Sequence, residues 1–177
     1  MKLDTQGWFS GVRRLVSPNR DERPAHTRIS LLVIHNISLP PDQFGGQGID
    51  QLFTNTLPHD IHPYYDQLRG VRVSSHFLIR RTGEIVQYVP CHQRAWHAGV
   101  SIWQGRERCN DFSLGIELEG SDFVPFTEAQ YRRLSYLSRR LKREYPIRDI
   151  VGHADIAPLR KTDPGPYFDW QRYLDSL

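Results

Sequence analysis

At 177 residues the chain is long enough to bury roughly 68–70% of its unfolded surface as one domain without staples. A net charge of +3 is too small a basic excess to specify nucleic acid. No stretch approaches the roughly 18 apolar residues of a membrane span, which excludes a helical membrane protein.

Residues 1–8 carry an early acid and no apolar run, so no secretory signal is read there and a cytoplasmic protein is expected. Cys91 and Cys109 are then expected as free thiols, and neither sits in a nucleophile context. Residues 1–28 are polar and turn-rich, with Ser17-Pro18-Asn19 and Arg23-Pro24, and read as an arm packed on a domain of residues 29–177. Residues 29–34 are apolar and rich in β-branched side chains, the pattern of a central strand buried on both faces. His35 follows at the strand's end, where open sheets present ligands.

The stretch Leu39-Pro40-Pro41-Asp42-Gln43-Phe44-Gly45-Gly46-Gln47-Gly48 is irregular and suits a substrate wall. A short helix is expected over residues 49–53, ended by Pro58. His59 and His62 flank Pro63 in a loop and read as surface residues rather than a metal pair. Residues 73–80 and 85–89 form a hairpin across Arg81-Thr82-Gly83-Glu84, with His76 expected to be structural. Residues 91–105 read as a long loop carrying Trp96-His97-Ala98-Gly99 and Trp103, aromatics that either stack on a sugar ring or form a lid on the core.

Over residues 112–120 the alternation puts Phe112, Leu114, Ile116 and Leu118 on one face and Ser113, Gly115, Glu117 and Glu119 on the other. Two carboxylates on one buried face repel, so only one is expected to be sheltered. Glu117, beside small Ser113 and Gly115, has room for a water and suits a general base. Thr127-Glu128-Ala129-Gln130 is a capping box for a helix with the stripe Tyr131, Leu134, Leu137 and Leu141, ended by Pro146. Its late Arg139-Arg140-Leu141-Lys142-Arg143 complements the helix dipole as a solvated face. Residues 147–151 form a strand delivering His153, and residues 169–174 a short C-terminal helix.

After that last strand, residues 152–165 read as a loop in which Pro158 blocks a continuous helix. The loop can bring His153 and Asp163 to one point. Two imidazoles, His153 and His35, with the Asp163 carboxylate and one open position are how a catalytic zinc is held. Lys161 at the rim suits an oxyanion partner. The order of elements suggests an α/β single domain with a central mixed sheet flanked by helices.

Several of these segments resemble one known family. They are Leu32-Val33-Ile34-His35-Asn36-Ile37-Ser38-Leu39-Pro40-Pro41, Phe77-Leu78-Ile79-Arg80-Arg81, Arg94-Ala95-Trp96-His97-Ala98-Gly99, Arg106-Glu107-Arg108-Cys109-Asn110-Asp111-Phe112-Ser113, Gly115-Ile116-Glu117-Leu118-Glu119-Gly120 and Arg160-Lys161-Thr162-Asp163-Pro164-Gly165. They resemble the zinc N-acetylmuramoyl-L-alanine amidases, a superfamily that includes phage amidases and peptidoglycan recognition proteins. Within it they closely resemble the cytosolic anhydromuramyl-L-alanine amidases of peptidoglycan recycling.

The resemblance implies a peptidoglycan recognition protein-like amidase fold. It implies one zinc ion per chain on His35, His153 and Asp163, with Glu117 as the acid/base residue and Lys161 polarising the carbonyl. It further implies a small muropeptide substrate contacted by Asn36, Arg72, Trp96 and Arg108. No nucleic-acid or membrane partner is expected from the residues, and no protein partner is implied. The bond cut would be the amide between the lactyl group of anhydromuramic acid and L-alanine. Two stretches depart from the family pattern: Gln47-Gly48 stands where Pro and an aromatic are usual, and Ala154-Asp155 where Cys-Asn is. The rival readings are a non-catalytic receptor for wall fragments and an endolysin-like amidase acting on intact wall.

Overall fold

The computed structural model describes residues 1–177. Its strands are β1 (Arg13–Arg14), β2 (Arg20–Glu22), β3 (Leu31–Ile37), β4 (Phe77–Ile79), β5 (Ile85–Gln87), β6 (Gln93–Ala95), β7 (Ile102–Trp103), β8 (Arg106–Glu107), β9 (Ser113–Glu119) and β10 (Asp149–Gly152). Its helices are α1 (Gly48–Phe53), α2 (Pro63–Asp66), α3 (Glu128–Glu144), α4 (His153–Ile156) and α5 (Trp170–Asp175). Six strands make one mixed sheet in the order β1-β5-β4-β9-β3-β10, antiparallel only at the β4–β5 hairpin. The α/β sheet with flanking helices is as the sequence suggested.

Helix α3 forms where the capping box places it. The Thr127 hydroxyl accepts the Gln130 N–H at 3.1 Å, and the Gln130 side chain accepts the Thr127 N–H at 3.0 Å. The Gln130 amide then donates to the Glu119 and Ile79 carbonyls, tying the helix start to the ends of β9 and β4. The buried stripe Tyr131, Leu134, Leu137 and Leu141 meets Leu32, Ile34, Phe77, Ile79, Leu114, Ile116 and Leu118 from one sheet face. Phe9 from the N-terminal arm and Phe168 and Tyr173 near the C-terminus close that core.

The arm is more than a cover. It adds β1 to the sheet edge beside β5, and β2 pairs antiparallel with β6. Arg94 of β6 clamps Asp21 of β2 through two 2.6 Å hydrogen bonds. So residues 91–105 are not all loop: they contain β6 and the start of the β7–β8 ribbon. The expected strand over residues 73–80 shortens to β4, because Val73 to His76 lie outside the ladder. His76 is structural, accepting the Gly115 N–H at 3.1 Å. His59 and His62 serve local turns; His62 accepts the Tyr64 N–H that starts α2.

One expectation is overturned at β9, where both carboxylates are buried. Glu119 is only 2% exposed because distant groups neutralise it. Arg80 Nη1 lies 3.0 Å away, and the backbone N–H groups of Gly45 and Arg81 donate at 2.7 and 3.0 Å. The repulsion argument fails because the two acids do not share one environment. Glu119 instead anchors the irregular stretch 39–48 to the sheet. Arg80→Met therefore strands a buried carboxylate and should cost about 3–5 kcal/mol, read as a lower urea midpoint at unchanged m-value. An unchanged midpoint would show that the pair is dispensable.

Both thiols are free and fully buried. Burial pushes Cys91 up to about 12 and shifts Cys109 upward as well. Both should stay silent toward a disulfide exchange reagent in the native protein and react only in denaturant. Rapid labelling of either in native buffer would contradict this.

Candidate metal centre and catalytic site

Strands β3 and β9 run parallel with His35 opposite Glu117, so both side chains rise from the same sheet face. Two separate apolar clusters cover that face. Leu78 and Val86 lie under α1 and Tyr65, while Val33 and Val151 lie under Ala98, Phe112 and Ile156. His35 and Glu117 stand in the gap between them. His35 sits inside β3 rather than just past it, since the strand continues to Ile37.

His153 opens α4 directly after β10, so the expected loop begins with one helical turn. Asp155 caps that turn, its carboxylate accepting the Gly152 N–H at 2.7 Å. The Ala154 N–H donates to the Asp163 carbonyl at 2.9 Å, which folds residue 163 back beside residue 153. Gly152 permits the approach, because a Cβ there would lie 2.7 Å from Pro164 Cδ. The Ala154-Asp155 departure thus keeps the loop tied through backbone and cap.

Three donor atoms converge. His35 Nδ1 lies 3.0 Å from His153 Nδ1 and 3.0 Å from Asp163 Oδ2, and the latter two are 3.2 Å apart. Tetrahedral zinc with bonds of 2.0–2.1 Å sets its ligand atoms roughly 3.3 Å apart, so the trio fits the ion. His153 Nε2–H donates to the Ala98 carbonyl at 3.1 Å, which leaves its Nδ1 lone pair facing Asp163. Two imidazoles and a carboxylate are a donor set that suits zinc.

The electrostatics agree. Burial pushes His35 down to about 4, against the pull of Asp163, so the imidazole stays neutral, the form that can bind a metal. Burial raises Asp163, but the His35 imidazole, which can donate from Nδ1 at 3.0 Å, more than offsets it and holds it below the usual carboxylate range. Glu117 moves the other way: burial and then the Asp163 charge push it well above normal, with Lys161 opposing. Its Oε2 is buried with no hydrogen-bond partner. A carboxyl poised high and unpaired beside a cation site has the make-up of a proton shuttle.

A cavity of about 330 Å³ opens over these groups, and its lining includes His35, Asn36, Trp96, Glu117, His153, Lys161 and Asp163. Asn36 spends both amide hydrogens on Asp122 Oδ1 and the Pro164 carbonyl, at 2.7 and 3.1 Å, so it also holds the Asp163-Pro164 turn. Arg72 and Arg108 do not line this cavity. Arg72 borders a separate hollow of about 70 Å³ with Leu52 and Asn55, and Arg108 is 70% exposed beside Asp111. A larger cavity, of about 550 Å³, is lined by Arg13, Asp50, Arg80 and Glu119, whose charges pair with one another.

Sequence reasoning passed over His97. Its Nδ1 lies 2.9 Å from His35 Nε2 and its Nε2 lies 3.1 Å from Ser113 Oγ. The available signal was Gly115, an inward-facing glycine mid-strand, which marks a close approach. A Cβ there would meet His97 Cγ at 2.6 Å.

A mixed sheet that ends in a two-histidine, one-aspartate donor set beside an unpaired glutamate has the build of a metallohydrolase. Residues 25–166 match the N-acetylmuramoyl-L-alanine amidase family, and the chain belongs to that family of enzymes. It is 58% identical over 170 residues to the 1,6-anhydro-N-acetylmuramyl-L-alanine amidase AmpD of Escherichia coli (strain K12), covering 95% of this chain and 93% of that one. A crystal structure of an AmpD selenomethionine derivative superposes with a TM-score of 0.97 at 56% identity, over 100% of this chain and 99% of that one. The amidase AmiD from E. coli, solved with anhydro-N-acetylmuramic acid-L-Ala-D-gamma-Glu-L-Lys, gives 0.62 at 36% identity, over 89% of this chain and 60% of that one. No helix is long and apolar enough to cross a membrane.

Proposed function

We propose that this amidase hydrolyses the amide between the lactyl group of 1,6-anhydro-N-acetylmuramic acid and L-alanine in cytoplasmic muropeptides released by wall turnover. His35, His153 and Asp163 hold one zinc ion per chain. When bound, the ion supplies Lewis-acid polarisation and a water acidified from 15.7 toward about 7. Glu117 takes the proton from the attacking water and returns it to the leaving amine of L-alanine. The Lys161 ammonium faces the charge that develops on the carbonyl oxygen. Trp96 and the free carbonyl of Asn36 meet the sugar side, and Arg72 and Arg108 meet stem-peptide carboxylates that extend beyond the cavity.

The observation that carries this reading is the unpartnered Glu117 oxygen beside the convergent donors. A receptor that only captured fragments has no use for a buried, raised carboxyl, so hydrolysis is favoured over binding alone. The test is cleavage of a soluble anhydromuropeptide and of intact sacculi, each with and without chelator. Fast, chelator-sensitive release of stem peptide from the soluble fragment is expected. Binding without cleavage would establish the receptor, and equal rates on sacculi the endolysin-like enzyme.

A further inference from the structure

The two histidines of the donor set are oriented differently. His153 has a backbone carbonyl behind it, which can only accept, so its tautomer is fixed. His35 has no such carbonyl. Its Nε2 meets only His97 Nδ1, and His97 Nε2 in turn meets only Ser113 Oγ. An imidazole and a hydroxyl can each donate or accept, so this chain can run in either direction.

We propose that His97, backed by Ser113, is a positioning residue for His35, and that their hydrogen-bond chain reverses when metal enters. The inference rests on the zinc site proposed above. In the metal-free chain His35 Nδ1–H donates to Asp163, His97 Nδ1–H donates to His35 Nε2, and the Ser113 hydroxyl donates to His97 Nε2. In the loaded chain His35 Nε2–H donates to His97 Nδ1, and His97 Nε2–H donates to Ser113 Oγ. Each ring carries one hydrogen in both states and the hydroxyl keeps its own, so the exchange is balanced. The reversal frees the His35 Nδ1 lone pair for the metal without leaving any buried nitrogen unpaired.

The surroundings hold His97 in place for this task. Its backbone N–H and that of Ala98 both donate to Asn110 Oδ1, at 3.1 and 2.8 Å. Gly115 leaves the space the ring occupies. Ser113 is fully buried in β9, and Ser113→Ala removes one hydroxyl without touching the ladder.

Long-range 1H–15N spectra of the wild-type protein, without and with one equivalent of zinc, read the tautomers directly. His97 should carry its hydrogen on Nδ1 without zinc and on Nε2 with it, and His35 should switch alongside. The same His97 tautomer in both states overturns the proposal. Ser113→Ala should weaken zinc roughly 10–100-fold in chelator competition while its metal-free thermal midpoint shows a folded protein. Wild-type affinity in that variant also overturns it. Failure of the wild-type protein to take up zinc at all would refute the metal site instead, a separate and recognisable outcome.

Discussion

Glu117→Gln will bind zinc as the parent does and turn over roughly 10²–10⁴-fold more slowly. Glutamine keeps the shape of the side chain and can still accept a hydrogen bond, but it cannot carry a proton between water and the leaving amine. No ligand atom changes, so the zinc content by elemental analysis should match the parent. The acidic limb of the rate profile, set by ionisation of the base, should disappear with the carboxyl. A second readout comes from linkage. Burial raises the folded-state value of Glu117 above its unfolded value near 4.5. Its neutral form therefore favours folding below that value, and the contribution is lost as pH rises through the raised folded value. Metal-free Glu117→Gln should accordingly be more stable than the metal-free parent at neutral pH, and the difference should vanish in acid. Parent-like turnover in the variant would remove Glu117 from the chemistry.

What the residues revealed in advance follows from how local each signal is. The Thr127–Gln130 box and the stripe behind it specify α3 within a few residues, so both its start and its buried face were legible. The alternation placed Glu117 on the right face of β9, and the apolar run before His35 placed that residue on a central strand, whereas Phe112, expected on the face of Leu114 and Ile116, precedes β9 and packs with Val33 on the other face. The fate of Glu119 was not legible, because its neutralising partners Arg80, Arg81 and Gly45 are 39, 38 and 74 residues away. Burial of one acid says nothing about its neighbour until those long-range partners are known. The arm was read as a cover for a related reason. The two-residue β1 and three-residue β2 are too short and polar to announce themselves, and they exist through pairing with β5 and β6. His97 hid among aromatics, since nothing local says that a loop imidazole will lie against a glycine on β9. Family likeness assigned Arg72 and Arg108 to substrate, yet neither reaches the cavity around Glu117. Long flexible cations on the surface are placed by their ligand rather than by the fold.

Asp163→Ala will lose zinc by more than the roughly 10–100-fold that outer-shell losses cost, and activity will fall with it. The donor set then keeps two neutral imidazoles and no anion, so it loses both a bond and the only charge directly opposing the ion. The loop itself should survive the change, because main-chain contacts place it: Ala154 N–H to the Asp163 carbonyl, Gly165 N–H to the Thr162 carbonyl, and Asn36 to the Pro164 carbonyl. The variant therefore reports on the ligand and not on a collapsed site. Asp163→Asn separates the two contributions further, since it keeps an oxygen in place while removing the charge. Linkage fixes the sign of the stability effect without metal. The folded-state value of Asp163 lies below its unfolded value near 3.8, so its contribution is present above that pH and is lost as acid titrates through the lower folded value. Urea midpoints of the metal-free variant and parent should thus diverge near neutrality and converge in strong acid. Elemental analysis and chelator competition decide the larger question. Asp163→Ala protein purified with a full complement of zinc would mean that the three converging side chains are a hydrogen-bonded cluster and not a metal centre.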